Sequence, residues 1–264
     1  MKPRIVAELE RIEREHEVRV LLAVESGSRA WGFASPDSDY DVRFIYSHPL
    51  DWYVSIAEPR DVIEEMLPGD LDVSGWDLRK TLRLFAKCNL ALNEWIGSPM
   101  TYVEEFEFRR QLAALLPAFF NPIAAMNHYC NMAERALTEH YSEGRIGIKK
   151  LFYVLRPLYA CRWVEQMQTQ PPTEFHSLLT AQWMDPSEQQ WVRELLERKA
   201  SANEAQPIEL SATKAKDIEA ELAHFKSLMT ALRAPGKSST APLDELLRTW
   251  ARACQSMGRS AEQV

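Results

Sequence analysis

Apolar positions recur in two rhythms along the chain, and the change of rhythm divides it. Over residues 3–15, Ile5, Leu9 and Ile12 repeat at helical spacing and predict an amphipathic helix. Val18–Val24 is a β-branched and leucine-rich run, the composition of a buried strand. Tyr40–Tyr46 predicts a second strand, after a small-residue and aromatic stretch ending at Phe33 and a polar turn over 35–38. Residues 61–66 and 70–75 predict further strands around a turn at Pro68-Gly69-Asp70, and 77–87 predicts a helix. From about residue 105 the period of 3.6 dominates. Helices are expected over 122–141, 145–167, 187–199 and 211–232, parted by Gly144, by Gln170-Pro171-Pro172 and by Asn203 to Pro207. A flexible connector from Ala234 then leads to a last short helix at 242–253. The fold class is α+β: a small mixed-sheet domain over 1–104 followed by an all-helical domain over 105–264.

Composition narrows the class of protein. The 264 residues carry 31 Lys and Arg against 38 Asp and Glu, a net charge of −7, with 46% hydrophobic and 26% charged residues, the balance of a soluble globular chain. The longest uninterrupted apolar run, Leu112 to Phe120, is about half a bilayer span and contains Pro117, so no membrane partner is expected. The first twenty residues hold no apolar export core, so a cytoplasmic protein is expected. Cys88, Cys130, Cys161 and Cys254 are widely spaced, with no Cys-x-x-Cys pair, and read as reduced core thiols. Net acidity disfavours a surface that clamps duplex DNA and leaves room for a local basic site. Gly236-Lys237-Ser238 is not a phosphate loop, because Ala231 stands where that pattern needs its first glycine.

The chemistry concentrates between Glu25 and Tyr46. In a strand, residues i and i+2 share a face, so Asp39 and Asp41 present two carboxylates together while Tyr40, Val42 and Phe44 point the other way. Paired hard oxygen ligands suit Mg²⁺ or Mn²⁺, which complete their shells with water and phosphate. Upstream, Gly27-Ser28 follows an apolar strand. The glycine lets a phosphate approach the backbone, and the Ser28 hydroxyl adds a donor. Each piece alone is a common turn or cap feature. The order strand, Gly-Ser, spacer, Asp-x-Asp, strand points instead to a metal–nucleotide site. Arg29 reads equally as a phosphate contact or a solvated arginine. Arg43 shares the face of Asp41 and reads as an ion-pair partner at least as readily as a substrate contact.

A second pattern lies downstream, where Arg145 to Val164 hold five basic residues and no acidic one. On one continuous helix, Arg145, Lys149, Tyr153, Arg156 and Trp163 would share a narrow sector, a cationic and aromatic stripe suited to a phosphate, base or polynucleotide. The competing account is a solvated face paired with Glu134, Glu139 and Glu143, and Pro157 is expected to kink the helix. His128, Tyr129, Trp76, Trp95, Trp163 and Trp183 read as structural.

The Gly-Ser, spacer, Asp-x-Asp pattern resembles the DNA polymerase beta-like nucleotidyltransferase superfamily. The fuller string Gly-Ser-Arg-Ala-Trp-Gly-Phe through Asp-Ser-Asp-Tyr-Asp-Val-Arg-Phe-Ile-Tyr46 is similar to the RNA repair pathway DNA polymerase beta family. The likeness continues through Asp72-Val-Ser-Gly-Trp-Asp-Leu-Arg-Lys80, Glu94-Trp95 with Ser98-Pro99, and Lys149-Lys150 with Arg156-Pro157, and covers most of the chain. It implies that 1–104 is a nucleotidyltransferase domain and 105–264 a helical substrate or lid domain. It also implies a third carboxylate from a neighbouring strand. Asp72 is the candidate; Asp70 and Asp77 are rivals with alternative roles as a turn residue and a helix N-cap. The implied catalytic and metal set is Asp39, Asp41 and Asp72, with Mg²⁺ or Mn²⁺ as cofactor. The implied nucleotide-binding set is Gly27, Ser28, Arg29, Lys149, Tyr153 and Arg156. The expected partners are an NTP and an acceptor hydroxyl, an RNA end by the family's name. A catalytically weak nucleotide-binding module, an enzyme modifying a protein or small molecule, and a metal-dependent phosphohydrolase remain as alternatives.

Overall fold

The computed structural model describes residues 1–36, 38–56, 59–201, 207–233 and 235–261. Asp37 of the polar turn, residues 203–206 of the expected connector, and Ala234 lie outside the described residues. The chain forms two compact units, drawn differently from a single cut near residue 105. Met1–Ala30, Asp39–Phe119 and Lys237–Val264 make the first; Trp31–Ser38 and Phe120–Gly236 make the second.

In chain order the first unit begins with α1 (Lys2–His16), β1 (Arg19–Glu25), the single turn α2 (Gly27–Ala30), β2 (Tyr40–Ser47) and α3 (Leu50–Tyr53). It continues with β3 (Val62–Leu67), β4 (Leu71–Asp77), α4 (Leu78–Ala86), α5 (Leu90–Ile96), β5 (Thr101–Glu104) and α6 (Phe106–Phe119). The second unit holds α7 (Pro122–His140), β6 (Arg145–Gly147), α8 (Ile148–Met167), α9 (Phe175–Leu179), α10 (Pro186–Ser201), β7 (Pro207–Glu209) and α11 (Ala212–Leu228). The last helix, α12 (Ala241–Ala261), belongs to the first unit.

The sheet of the first unit runs β3-β4-β2-β1-β5, with β2 and β4 parallel and every other pairing antiparallel. Its two faces follow the period-2 alternation of the strands. Val42, Phe44 and Tyr46 of β2, with Leu71 and Val73 of β4, pack against Ile5, Leu9 and Ile12 of α1. Ile45 and residues of β1 pack with Leu82 and Phe85 of α4, Trp95 of α5, Phe108 of α6 and Leu243 of α12. Both faces are therefore covered, which is why β1 is apolar nearly throughout. Gly75 belongs to the α1 face, opposite Phe44 in the parallel register; a Cβ there would lie 2.2 Å from Phe44 Cε2.

In the second unit α7 and α8 are closely packed partners, and α8 is buried along most of its length from Ile148 to Val164. Pro157 lies inside α8, which runs on to Met167. Residues 145–147 are not the start of that helix: they pair antiparallel with β7, Arg145 opposite Glu209, after a turn in which Gly144 takes φ +76°. The Trp31–Ser38 segment is fixed in this unit by aromatic packing and hydrogen bonds. The Phe33 ring lies 5.2 Å from Phe152 and 5.6 Å from Phe175 between centroids, and the buried Lys199 ammonium donates to Phe33 O and Ser35 Oγ, each at 2.6 Å. None of the four cysteines forms a disulfide, and all four are buried. Among the described residues no helix is long and apolar enough to cross a membrane.

Gly75→Ala forces a methyl group into the Phe44 ring and is expected to destabilise the fold by about 1–3 kcal/mol, the range for overpacking a core. The loss is read as a lower midpoint in urea unfolding at unchanged slope; an unchanged midpoint would contradict this packing.

Candidate active site

The β2–β4 register sets the site. Tyr40 N–H donates to Asp70 O at 2.8 Å where the two strands begin, and from there Asp41 lies opposite Asp72 and Arg43 opposite Ser74. Directly paired residues in a parallel sheet point to the same face, so the carboxylates of Asp41 and Asp72 come together. Arg43 follows Asp41 by one pleat and reaches both: its Nη2 lies 3.2 Å from Asp41 Oδ1 and 2.7 Å from Asp72 Oδ2. The guanidinium supplies the positive charge that two adjacent carboxylates require. Asp41 and Asp72 side chains keep 34% and 32% exposure, so the pair is open to a ligand from solvent.

The Gly-Ser motif meets the second aspartate at one point. Ser26 N–H donates to Asp41 O at 2.8 Å, and Gly27 follows with φ +59°. A Cβ on Gly27 would lie 2.4 Å from Asp41 Oδ2, so both the backbone conformation and the space demand glycine. Ser28 is buried in α2. Arg29 turns toward the start of β2: its Nε donates to Asp39 O at 2.9 Å, and its guanidinium lies 3.7 Å from the centre of the Tyr40 ring. Asp39 is exposed, one residue ahead of β2. Among the described residues no three His, Cys, Asp or Glu side chains gather as a ready cage for a metal ion. The oxygen donors that meet are those of Asp41 and Asp72, a hard pair that fits a divalent cation, with the Arg43 guanidinium between them in place of one.

Behind this pair stands a carboxylate that the sequence pattern does not single out. Glu25, the fully buried last residue of β1, accepts the Asp41 N–H at 2.7 Å on Oε1 and the Tyr102 hydroxyl on Oε2. Burial pushes its carboxyl pKa up, against the lowering effect of these two donors. Ser98 Oγ donates to Glu25 O at 2.7 Å, and Arg109 donates to Ser98 O at 2.7 Å and to Ile96 O at 2.8 Å. The Ser98-Pro99 turn and α6 thus brace the end of β1, which in turn fixes the Asp41 backbone. The one signal in the chain is an acidic residue that closes the apolar run Val20–Val24, two residues before Gly27.

The rivals of Asp72 have structural duties. Asp70 sits in the β3–β4 turn at φ +55°. Asp77 caps α4: Oδ1 accepts from Arg79 N–H at 2.8 Å and Lys80 N–H at 3.3 Å, and Oδ2 accepts from the Tyr53 hydroxyl at 2.6 Å. The remaining predicted residues belong to the second unit. Lys149 and Tyr153 are half-buried on α8. Arg156 is fully buried, its guanidinium 4.7 Å from the Trp31 ring and 5.6 Å from the Tyr129 ring, an interior position in place of the cationic stripe expected of it. Arg162 is paired with Glu188 and Glu221 at a largely buried position, neither the solvated face nor the acidic partners that the competing account names. Trp76 packs on Trp95 at 4.1 Å and Trp163 on Trp183 at 5.5 Å, in line with their structural reading.

A protein-family model described as the RNA repair pathway DNA polymerase beta family matches residues 1–249 of the chain. A Bacillus subtilis (strain 168) protein with the name "Uncharacterized protein YcgL" is 45% identical over 247 residues, which are 94% of this chain and 95% of that protein.

Asp77 separates a structural carboxylate from the candidate pair. Burial raises its pKa above the ordinary 3.8, so between that value and the raised one the folded protein holds a proton that the unfolded chain has released. Stability from this group is therefore lost as pH rises through that window. Asp77→Asn keeps an acceptor for Arg79 and Lys80 and has no proton to lose, so its Tm is expected to gain on the wild type as pH is raised from about 4 to 7. Calorimetry at several pH values checks this; a Tm difference that moves the other way would contradict it.

Proposed function

The chain belongs to the RNA repair pathway DNA polymerase beta family, and from that membership we propose that it is a nucleotidyltransferase that moves a nucleoside monophosphate from an NTP to the terminal hydroxyl of an RNA, releasing pyrophosphate. The observation that carries this reading is the Asp41–Asp72 pair, closed on one side by the Gly27 backbone and bridged by Arg43. In the reaction the acceptor oxygen forms a bond to the α-phosphorus, the α–β bridging bond breaks, and pyrophosphate leaves with the electron pair. In this reading Asp72 takes the proton of the attacking hydroxyl, which its register position opposite Asp41 and its ion pair with Arg43 Nη2 support. Gly27 lets the triphosphate approach the backbone at the start of α2, where Ser28 adds a hydroxyl. Arg43 stabilises the negative charge that the two carboxylates and the phosphates bring together.

The residues that would hold Mg²⁺ or Mn²⁺ are Asp41 and Asp72, with Asp39 adjoining, and such an ion supplies charge neutralisation of the phosphates when bound. Asp41 owes its place to Glu25, which holds its amide, and Arg29 braces the carbonyl of Asp39. These residues are fixed by backbone contacts rather than by the ligand, the condition for electrostatic preorganisation.

The test incubates the protein with Mg²⁺, each of the four α-labelled NTPs and a mixture of cellular RNA and protein, beside an Asp39→Asn/Asp41→Asn double variant. Label is expected on RNA and is expected to fall by roughly a hundredfold or more in the variant. Label on protein would reassign the acceptor, and release of free monophosphate without an adduct would make the enzyme a phosphohydrolase. Equal signals from wild type and variant would overturn the transferase reading.

A further inference from the structure

The second unit carries a groove of about 420 Å³ between α7 and α8. One wall is a single ridge of α7 at four-residue spacing, His128, Met132, Ala136 and His140, so an apolar strip is flanked by two imidazoles. The other wall is Lys150 and Tyr153 of α8, with the Lys150 ammonium 5.7 Å from the centre of the Tyr153 ring. Arg135 stands on the rim. Among the described residues that line the groove, Glu139 is the sole carboxylate, and it is engaged by Arg135 at 2.7 Å. In a chain of net charge −7 this is a local reversal of sign.

We infer that this groove holds one nucleotide of a single-stranded RNA, the acceptor strand of the transferase; the inference rests on that reading for the identity of the strand. A nucleobase needs a π-face and an apolar wall, which Tyr153 and Met132 provide, and an amide at the edge, which Asn131 provides. The flanking phosphodiesters need separate cations: Lys150 stands on α8, and the exposed Arg135 on α7 would exchange its Glu139 partner for a phosphate. A free nucleoside triphosphate would instead need its cations clustered about one end. Part of the basic run over 145–164 thus serves the groove, while Arg156 turns inward to Trp31 and Tyr129 and Arg162 pairs with Glu188 and Glu221.

The probe is a fluorescein-labelled ten-nucleotide RNA of mixed sequence, titrated by anisotropy with no NTP present. Lys150→Glu, an exposed position that leaves the core intact, is expected to weaken binding by about tenfold at 0.1 M salt. It is also expected to lower the salt slope by about 0.7 for each RNA phosphate that is no longer neutralised. Tyr153→Ala is expected to weaken binding by about five- to thirtyfold, with Tyr153→Phe restoring it because the ring remains. RNA binding unchanged in Lys150→Glu and Tyr153→Ala, or no RNA binding by the wild type, would overturn the inference. So would an ATP or acidic-peptide affinity that these variants lose in place of RNA affinity. Groove-dependent RNA binding without label transfer would sink the transferase reading alone, and transfer to RNA with no groove dependence would sink this inference alone.

Discussion

The candidate site depends on a hydrogen-bond register. Because β2 and β4 are parallel and in step, Asp41 and Asp72 are placed side by side, and a one-residue slip would send one of them to the face covered by α1. Like charges so placed repel, and Arg43, one pleat along the same strand face, offsets that repulsion. The apolar residues between them enforce the register. Val42, Phe44, Leu71 and Val73 can reach α1 only in this phase, and Gly75 lets the strands keep their step beneath the Phe44 ring.

The rest of the first unit serves this arrangement. Glu25 holds the Asp41 amide and is itself held by Tyr102 on β5 and, through its carbonyl, by Ser98. Leaving such a buried donor or acceptor without its partner costs about 1–3 kcal/mol, so the network is stiff as well as specific. Gly27 closes against Asp41, which couples the loop after β1 to the strand that carries the carboxylates. The elements that build the candidate site are thereby the same ones that hold the unit together, and the side chains that support it grip main-chain groups, Glu25 the Asp41 amide and Ser98 the Glu25 carbonyl.

Much of this is legible in the sequence, for physical reasons that differ by element. The strands β1, β2 and β4 and the helices α4 and α7 are announced by long apolar runs or strict periodicity, and the N-cap role of Asp77 by its place ahead of Leu78-Arg79-Lys80. The pieces α5, β5, β6 and β7 are three to seven residues long, too short for periodicity to register. Arg145 falls on a helix only when the sector arithmetic runs across Gly147, where the chain in fact changes from strand to helix. Arg156 joins a ligand-facing stripe only if charge implies exposure. The helix that carries it is buried on nearly every side, and the faces of Trp31 and Tyr129 receive the guanidinium. Glu25 and Lys199 are hidden from the sequence for the same reason: the partners that make a buried charge tolerable are distant along the chain.

The central claim is that Asp41 and Asp72 form one cation site. Its most direct measurement is the binding of Mn²⁺, followed by the loss of the free-ion electron paramagnetic resonance signal, to the wild type, Asp41→Asn and Asp72→Asn. Each single substitution is expected to weaken binding by roughly tenfold or more, and the two effects are expected to fall short of adding, as for ligands to one ion. Mn²⁺ affinity unchanged by Asp72→Asn, or by Asp41→Asn, would contradict it.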